Sequence, residues 1–271
     1  MSTGFLHASA TLAASSCQTN MQNDRSQNSA AAANVELWCI PAPELLDPAL
    51  EPAYRNLLSA EEAARWQRYA RADDRARFLT TRALLRTVLS ERLGLAPADL
   101  CFSVDRWGKP HVVRAATAPV VHFNLSHARG MAVLAVCGTA AVGVDVEDER
   151  RAVNAEALTL RYFAPEELAA LRALPEDMRR LSFLHLWTLK EAYVKALGMG
   201  LRIPLDRFAF ALRDDTVEFL RREGKGADVP LAMRSVAVAP HHRVGLAVAT
   251  PHLGDVTIFE GMPLQEFSRK Q

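Results

Sequence analysis

A chain of 271 residues is long enough for one large domain or two small lobes, each with a core of its own. With 49% hydrophobic and 23% charged residues the composition is that of a soluble globular protein. The formal net charge of +1 excludes a global basic field for nucleic acid, so any anion-binding surface has to be local.

No apolar run approaches the roughly 20 residues that cross a bilayer, and the chain is expected neither to span nor to bind a membrane. Cys17, Cys39, Cys101 and Cys137 lack any C-x-x-C spacing, which fits neither a zinc site nor a disulfide framework and predicts thiols in a reducing cytoplasm. The first basic residue is Arg25, so the N-terminus lacks the basic region of an export signal. Residues 1–34 are rich in Ala, Ser, Asn, Gln and Thr and predict a disordered tail, with Met21 as an alternative start.

Folded sequence is expected from Val35-Glu-Leu-Trp-Cys-Ile40, a strand pattern. Ser59 and Glu62 then form a capping box that opens a helix, and a longer helix is predicted over Asp73–Leu93, stopping at Gly94. Short strands follow at Leu100–Val104 and Val121–Phe123. Two apolar runs, Met131–Val136 and Ala141–Val146, are joined by Cys137-Gly-Thr-Ala140 and predict a β-hairpin. Helices are predicted at Ala155–Tyr162, Pro165–Ala173 and Arg180–Leu197, and strands at Phe208–Leu212, Val217–Leu220, Arg234–Ala239 and Arg243–Ala249. The interleaving predicts an α+β fold of two similar lobes, 35–140 and 141–271, each of helix plus antiparallel sheet, with the active site between them.

Three segments carry chemistry. In Val142-Gly-Val-Asp-Val-Glu147, strand alternation sends the valines to one face and puts Asp145 and Glu147 together on the other. Two carboxylates about 7 Å apart on one face repel unless a cation sits between them, and a hard ion such as Mg²⁺ suits them. An amphipathic strand with acidic solvent-facing residues fits the same text. In Leu184–Leu197, helical spacing gives an apolar stripe of Leu186, Leu189, Tyr193 and Leu197. Trp187, Glu191 and Lys195 recur every four residues on another line, where a carboxylate and an ammonium one turn apart could serve as base and acid, or form a plain surface pair.

The third segment is Phe123-Asn-Leu-Ser-His-Ala-Arg-Gly130, expected as a loop in which Ser126 and His127 can bond phosphate oxygens and Asn124 holds the shape. Without a G-x-S-x-G elbow, Ser126 and His127 do not make a hydrolase nucleophile and base. Arg65, Arg68, Arg77, Arg82 and Lys109 are the scattered bases, with Lys109 in the constrained turn Trp107-Gly-Lys-Pro110.

Taken in order, Trp107–Pro110, Phe123–His127, Gly143–Glu147 and Trp187–Lys195 resemble the phosphopantetheinyl transferases of the larger two-lobed kind that activates peptide and polyketide synthases. The resemblance covers roughly residues 55 to 210. It implies transfer of phosphopantetheine from coenzyme A to a serine of an apo acyl or peptidyl carrier protein. It implies Mg²⁺ ligands Asp145, Glu147 and Glu191, with Glu191 also the base toward the carrier serine and Lys195 acting on the leaving diphosphate oxygen. Ser126, His127, Lys109, Arg65 and Arg77 match coenzyme A contacts, His127 toward the 3′-phosphate. Arg82 follows Thr81 where the family often has Gly, Glu62 stands where some relatives have lysine, and Lys190 fits structure or ligand alike. Two lobes in one chain imply a monomer. A metal-dependent phosphodiesterase or nucleotide hydrolase, and a non-catalytic coenzyme A-binding module, are the competing readings of the same residues.

Overall fold

The computed structural model describes residues 32–213 and 216–270, so nearly all of the expected tail lies outside the described residues. The elements in chain order are β1 (Ala33–Pro41), α1 (Glu51–Asn56), α2 (Ala60–Gln67), α3 (Ala72–Leu93), β2 (Cys101–Val104), β3 (Pro110–Val113), β4 (His122–Ala128), β5 (Met131–Cys137) and β6 (Val142–Asp148). They continue with α4 (Ala155–Tyr162), α5 (Pro165–Ala173), α6 (Glu176–Leu197), β7 (Phe208–Arg213), β8 (Thr216–Arg222), β9 (Ala232–Ala239), β10 (His242–Val248), β11 (Leu253–Glu260) and β12 (Ser268–Lys270).

Local chemistry sets the helix ends. The Ser59 hydroxyl accepts from the Glu62 N–H at 3.3 Å while the Glu62 carboxylate accepts from the Ser59 N–H, so α2 opens on the expected capping box. Gly94 and Gly198 end α3 and α6 in the left-handed conformation, at φ 64° and 69°, which costs a glycine nothing.

Two five-stranded sheets, ordered β12-β11-β1-β5-β4 and β6-β10-β9-β8-β7, pack face to face. Their shared core is built from alternating residues such as Val35, Leu37, Val133 and Ala135 on one side and Val142, Val144, Val244 and Leu246 on the other. Helix α3 covers the outer face of the first sheet through Leu84, Leu85 and Leu89, and α6 covers the outer face of the second through Leu189 and Tyr193. Mixed helix and antiparallel sheet is the expected class, with one exception in pairing: β11 returns from the end of the chain and runs parallel to β1. No described helix is long and apolar enough to cross a membrane.

Two local expectations are corrected. Met131–Val136 and Ala141–Val146 do not form a hairpin: β5 pairs with β1 and β4, while β6 pairs with β10 in the other sheet. Both strands bury every residue, so their apolar text fits two stacked strands as well as two paired ones, and the link between them changes sheets. The hairpin is instead β4–β5, closed by Arg129-Gly130 with Gly130 at φ 76°. Residues 122–128, expected as loop beyond Phe123, are therefore strand, and their polar Asn124 and Ser126 are buried rather than turned to solvent.

Candidate active site

On β6 the valines enter the intersheet core and leave Gly143, Asp145 and Glu147 on the face beneath α6. Asp145 and Glu147 are each only 8% exposed, so a solvent-facing acidic strand does not describe them. Helix α6 reaches this face because two glycines let it. A Cβ on Gly143 would lie 2.1 Å from the Ala192 carbonyl oxygen and 2.2 Å from the Ala196 nitrogen. One on Gly245, which sits opposite Asp145 in the ladder, would lie 2.5 Å from the Thr188 carbonyl oxygen. Backbone thus rests on backbone, and side chains one turn either side of that contact meet the carboxylates.

Lys195 is the side chain that arrives. Its ammonium donates to Asp145 Oδ1 at 2.6 Å, to Ser126 Oγ at 3.1 Å and to the Val144 carbonyl at 3.2 Å. The Ser126 hydroxyl in turn donates to Asp145 Oδ1 at 2.8 Å. Burial and the Asp145 charge hold the Glu191 carboxyl above its usual range, with Lys195 opposing. Burial also raises Glu147, partly offset by Arg151, whose guanidinium bonds its carboxylate. Glu147 and Glu191 thus lie in the field of Asp145.

Among the described residues no group of three or more His, Cys, Asp or Glu is gathered closely enough to hold a metal, and Asp145 and Glu147 are neutralised by Lys195 and Arg151. The donor chemistry nonetheless fits a hard cation, because Asp145, Glu147 and Glu191 offer only carboxylate oxygen. Trp187, expected on the same line as Glu191 and Lys195, turns the other way. It packs among Tyr162, Phe163 and Phe183 and fastens α6 to α4 and its surroundings.

A cleft of about 850 Å³ opens over Asp145 and Glu147, walled by His127, Arg129, Arg150 and Arg151. A second of about 670 Å³ holds Arg71 and Arg77 and shares His127, Ala128 and Arg129 with the first. His127 lines both clefts, and burial, Arg77 and Lys195 push it below its usual pKa. The structure therefore brings together Ser126, His127, Arg77, Asp145, Glu147, Glu191 and Lys195. Arg65 lines neither cleft; it is exposed, with its guanidinium 5.2 Å from the Phe78 ring centre.

The sequence pattern of the 4′-phosphopantetheinyl transferase superfamily matches residues 141–248, and that of the 4′-phosphopantetheinyl transferase N-terminal region matches residues 50–139. The chain belongs to the 4′-phosphopantetheinyl transferase family. Its relatives include the Nostoc 4′-phosphopantetheinyl transferase HetI, 36% identical over 62% of this chain and 70% of its own length. Another is the Bacillus subtilis 4′-phosphopantetheinyl transferase ffp, 30% identical over 72% of this chain and 84% of its own. A Synechocystis relative is 36% identical, with 65% of its length covered. The crystal structure of Thermotoga maritima holo-[acyl-carrier-protein] synthase is similar at a TM-score of 0.35 and 23% identity, over 45% of this chain and 70% of that one.

Lys109, expected at a nucleotide phosphate, has three backbone carbonyls as partners in this structure. The Asp105 carboxylate accepts from the Trp107 and Lys109 N–H groups and tightens the turn, with Gly108 at φ 88°. The turn aims the Lys109 ammonium into the last turn of α6, where it donates to the carbonyls of Lys195, Ala196 and Val142 at 2.8, 3.2 and 3.1 Å. Burial pushes its pKa down to about 8. In the window between about 8 and 10.5 the unfolded chain holds a proton that the folded chain has lost, so raising the pH favours the folded state there. The stability of wild type relative to Lys109→Met should rise across that window and stay flat below it, as read by urea unfolding at stepped pH. A flat difference throughout would contradict the burial of this ammonium.

Several residues of the site and its support were not anticipated. Arg150 and Arg151 follow β6 in the run Glu147-Asp-Glu-Arg-Arg151, and that dense charge beside a buried strand was the available signal. Glu62 accepts from buried Arg86 at 2.5 Å and lies 3.7 Å from Arg82, so it serves as a counter-ion within the helix layer.

Proposed function

We propose that the chain moves the 4′-phosphopantetheine arm of coenzyme A onto a serine of an apo acyl or peptidyl carrier protein, releasing adenosine 3′,5′-bisphosphate. The observation that carries this reading is the Ser126–Asp145–Lys195 cluster, with Glu147 and Glu191 in the field of Asp145 and with Asp145 and Glu147 lining an arginine-walled cleft, in a member of this family. Glu191 takes the proton of the carrier serine, and its raised proton affinity suits that role. The serine oxygen bonds to the phosphorus that bears the pantetheine, and the bond from that phosphorus to the bisphosphate oxygen breaks. Lys195 neutralises the charge that gathers on the departing oxygen.

Asp145, Glu147 and Glu191 are the residues that would hold Mg²⁺, which when bound offsets the pyrophosphate charge. His127, which lines both clefts, and Arg77, which lines the second, are suited to the nucleotide phosphates, with Ser126 alongside.

Incubation with coenzyme A, Mg²⁺ and an apo carrier domain should raise the carrier mass by one phosphopantetheine. Asp145→Ala should slow this by about 100-fold or more with the far-ultraviolet circular dichroism unchanged. Coenzyme A breakdown without a carrier would point to a hydrolase instead. Carriers of both acyl and peptidyl type left unmodified would overturn the transferase reading.

A further inference from the structure

Strands β4 and β6 are each the last strand of their own sheet, and they meet edge to edge without sharing a ladder. Peptide groups of β6 that point away from β10 therefore need partners from elsewhere. At Val144 both are supplied by side chains. Its N–H donates to Asn124 Oδ1 at 2.8 Å, and its carbonyl accepts from the Lys195 ammonium at 3.2 Å. Because the partner is a donating N–H, the Asn124 atom that meets it is the amide oxygen. Asn124 is 8% exposed, too buried for this bond to be replaced by solvent without movement.

Two residues further along β4 and one further along β6, the pattern continues into the reacting groups. Ser126 stands two residues after Asn124, on the same face of β4. It donates to Asp145, the residue after Val144, and accepts from Lys195. The Asn124–Val144 bond and the Ser126–Asp145 bond are thus consecutive rungs between the two strands, and Lys195 spans both. Moving the first rung shifts the second, and with it the point where the ammonium and the carboxylate meet.

We infer that Asn124 is a positioning residue for the transfer reaction, acting through the Val144 peptide to set the Asp145–Lys195 geometry. The inference rests on the transferase reading above, and wild-type transfer to an apo carrier is its control: absence of transfer in wild type would refute that reading, not this one. In Asn124→Ala, kcat should fall by about 10- to 100-fold, the range for misplacing reacting groups by about 1 Å, while KM for coenzyme A and for the carrier change by less than about twofold. Amide hydrogen exchange should show protection lost at Val144 and kept at Leu246, its neighbour in the β6–β10 ladder. Asn124→Asp, which keeps an acceptor oxygen in place, should retain protection at Val144 and recover most of the lost kcat. If N124A does not fold, N124D carries the test alone, with protection kept and kcat within about tenfold of wild type. A folded N124A with wild-type kcat, or an N124D that keeps Val144 protected yet is as slow as N124A or slower than that tenfold limit, would overturn the inference.

Discussion

Gly143→Ala should lose transfer activity almost completely and unfold at markedly lower denaturant concentration than wild type. The added methyl would stand 2.1 Å from one backbone atom of α6, 2.2 Å from a second and 2.9 Å from a third. Backbone in the last two turns of a helix that is packed along the sheet cannot step aside alone, so either the helix lifts or the strand bows. Overpacking of this kind costs about 3 kcal/mol or more when no flexible side chain can yield. Activity suffers beyond the stability loss, because a helix lifted at Ala192 carries Glu191 and Lys195 away from Asp145. Gly94→Ala is the control: its Cβ would meet nothing within 4 Å, and only its φ of 64° is strained, at about 1 kcal/mol. Urea unfolding and single-turnover transfer on both variants give the contrast. If G143A is no worse than G94A, the close approach of α6 to β6 is not what builds this site.

Lys190→Met should be the most destabilising single change that leaves the chemistry intact. Lys190 and Glu167 are both fully buried, 2.7 Å apart, and every remaining polar atom of the pair has a partner. The ammonium also donates to the carbonyls of Leu205 and Phe208, and the carboxylate accepts from the Ala164 and Phe210 N–H groups. Together they tie α6 to α5 and to the start of β7. Burial pushes Glu167 up and Lys190 down in pKa, so each depends on the other to remain charged. Removing the lysine strands a buried carboxylate, at a cost of about 3–5 kcal/mol. Well below the unfolding transition, kcat and KM for coenzyme A should stay near wild type, since the pair faces the core rather than the cleft. A stable K190M with weakened coenzyme A binding would assign Lys190 to the ligand instead.

Much of the site could be read residue by residue, and the misreadings share one cause. Periods of two and 3.6 put Asp145 and Glu147 on one face of β6 and Glu191 and Lys195 on one side of α6, while Ser59, Gly94 and Gly198 mark helix ends through their own backbone chemistry. Those signals act over a few residues, so a single stretch of chain contains them. The misplaced β5–β6 hairpin and the unforeseen parallel β11 depend on which apolar strand lies beside which, and valine-rich strands are interchangeable partners until the whole core closes. A lysine in a tight turn can likewise serve a phosphate or three carbonyls, and a tryptophan on a helix can face solvent or a core. Only the packing of α6 against β6 and the aromatic cluster chooses between them. Which atoms belong to each face was therefore local information. Which faces meet was settled by contacts between residues such as Asn124 and Val144, or Lys195 and Asp145, that lie 20 and 50 positions apart and share no signal until the chain brings them together.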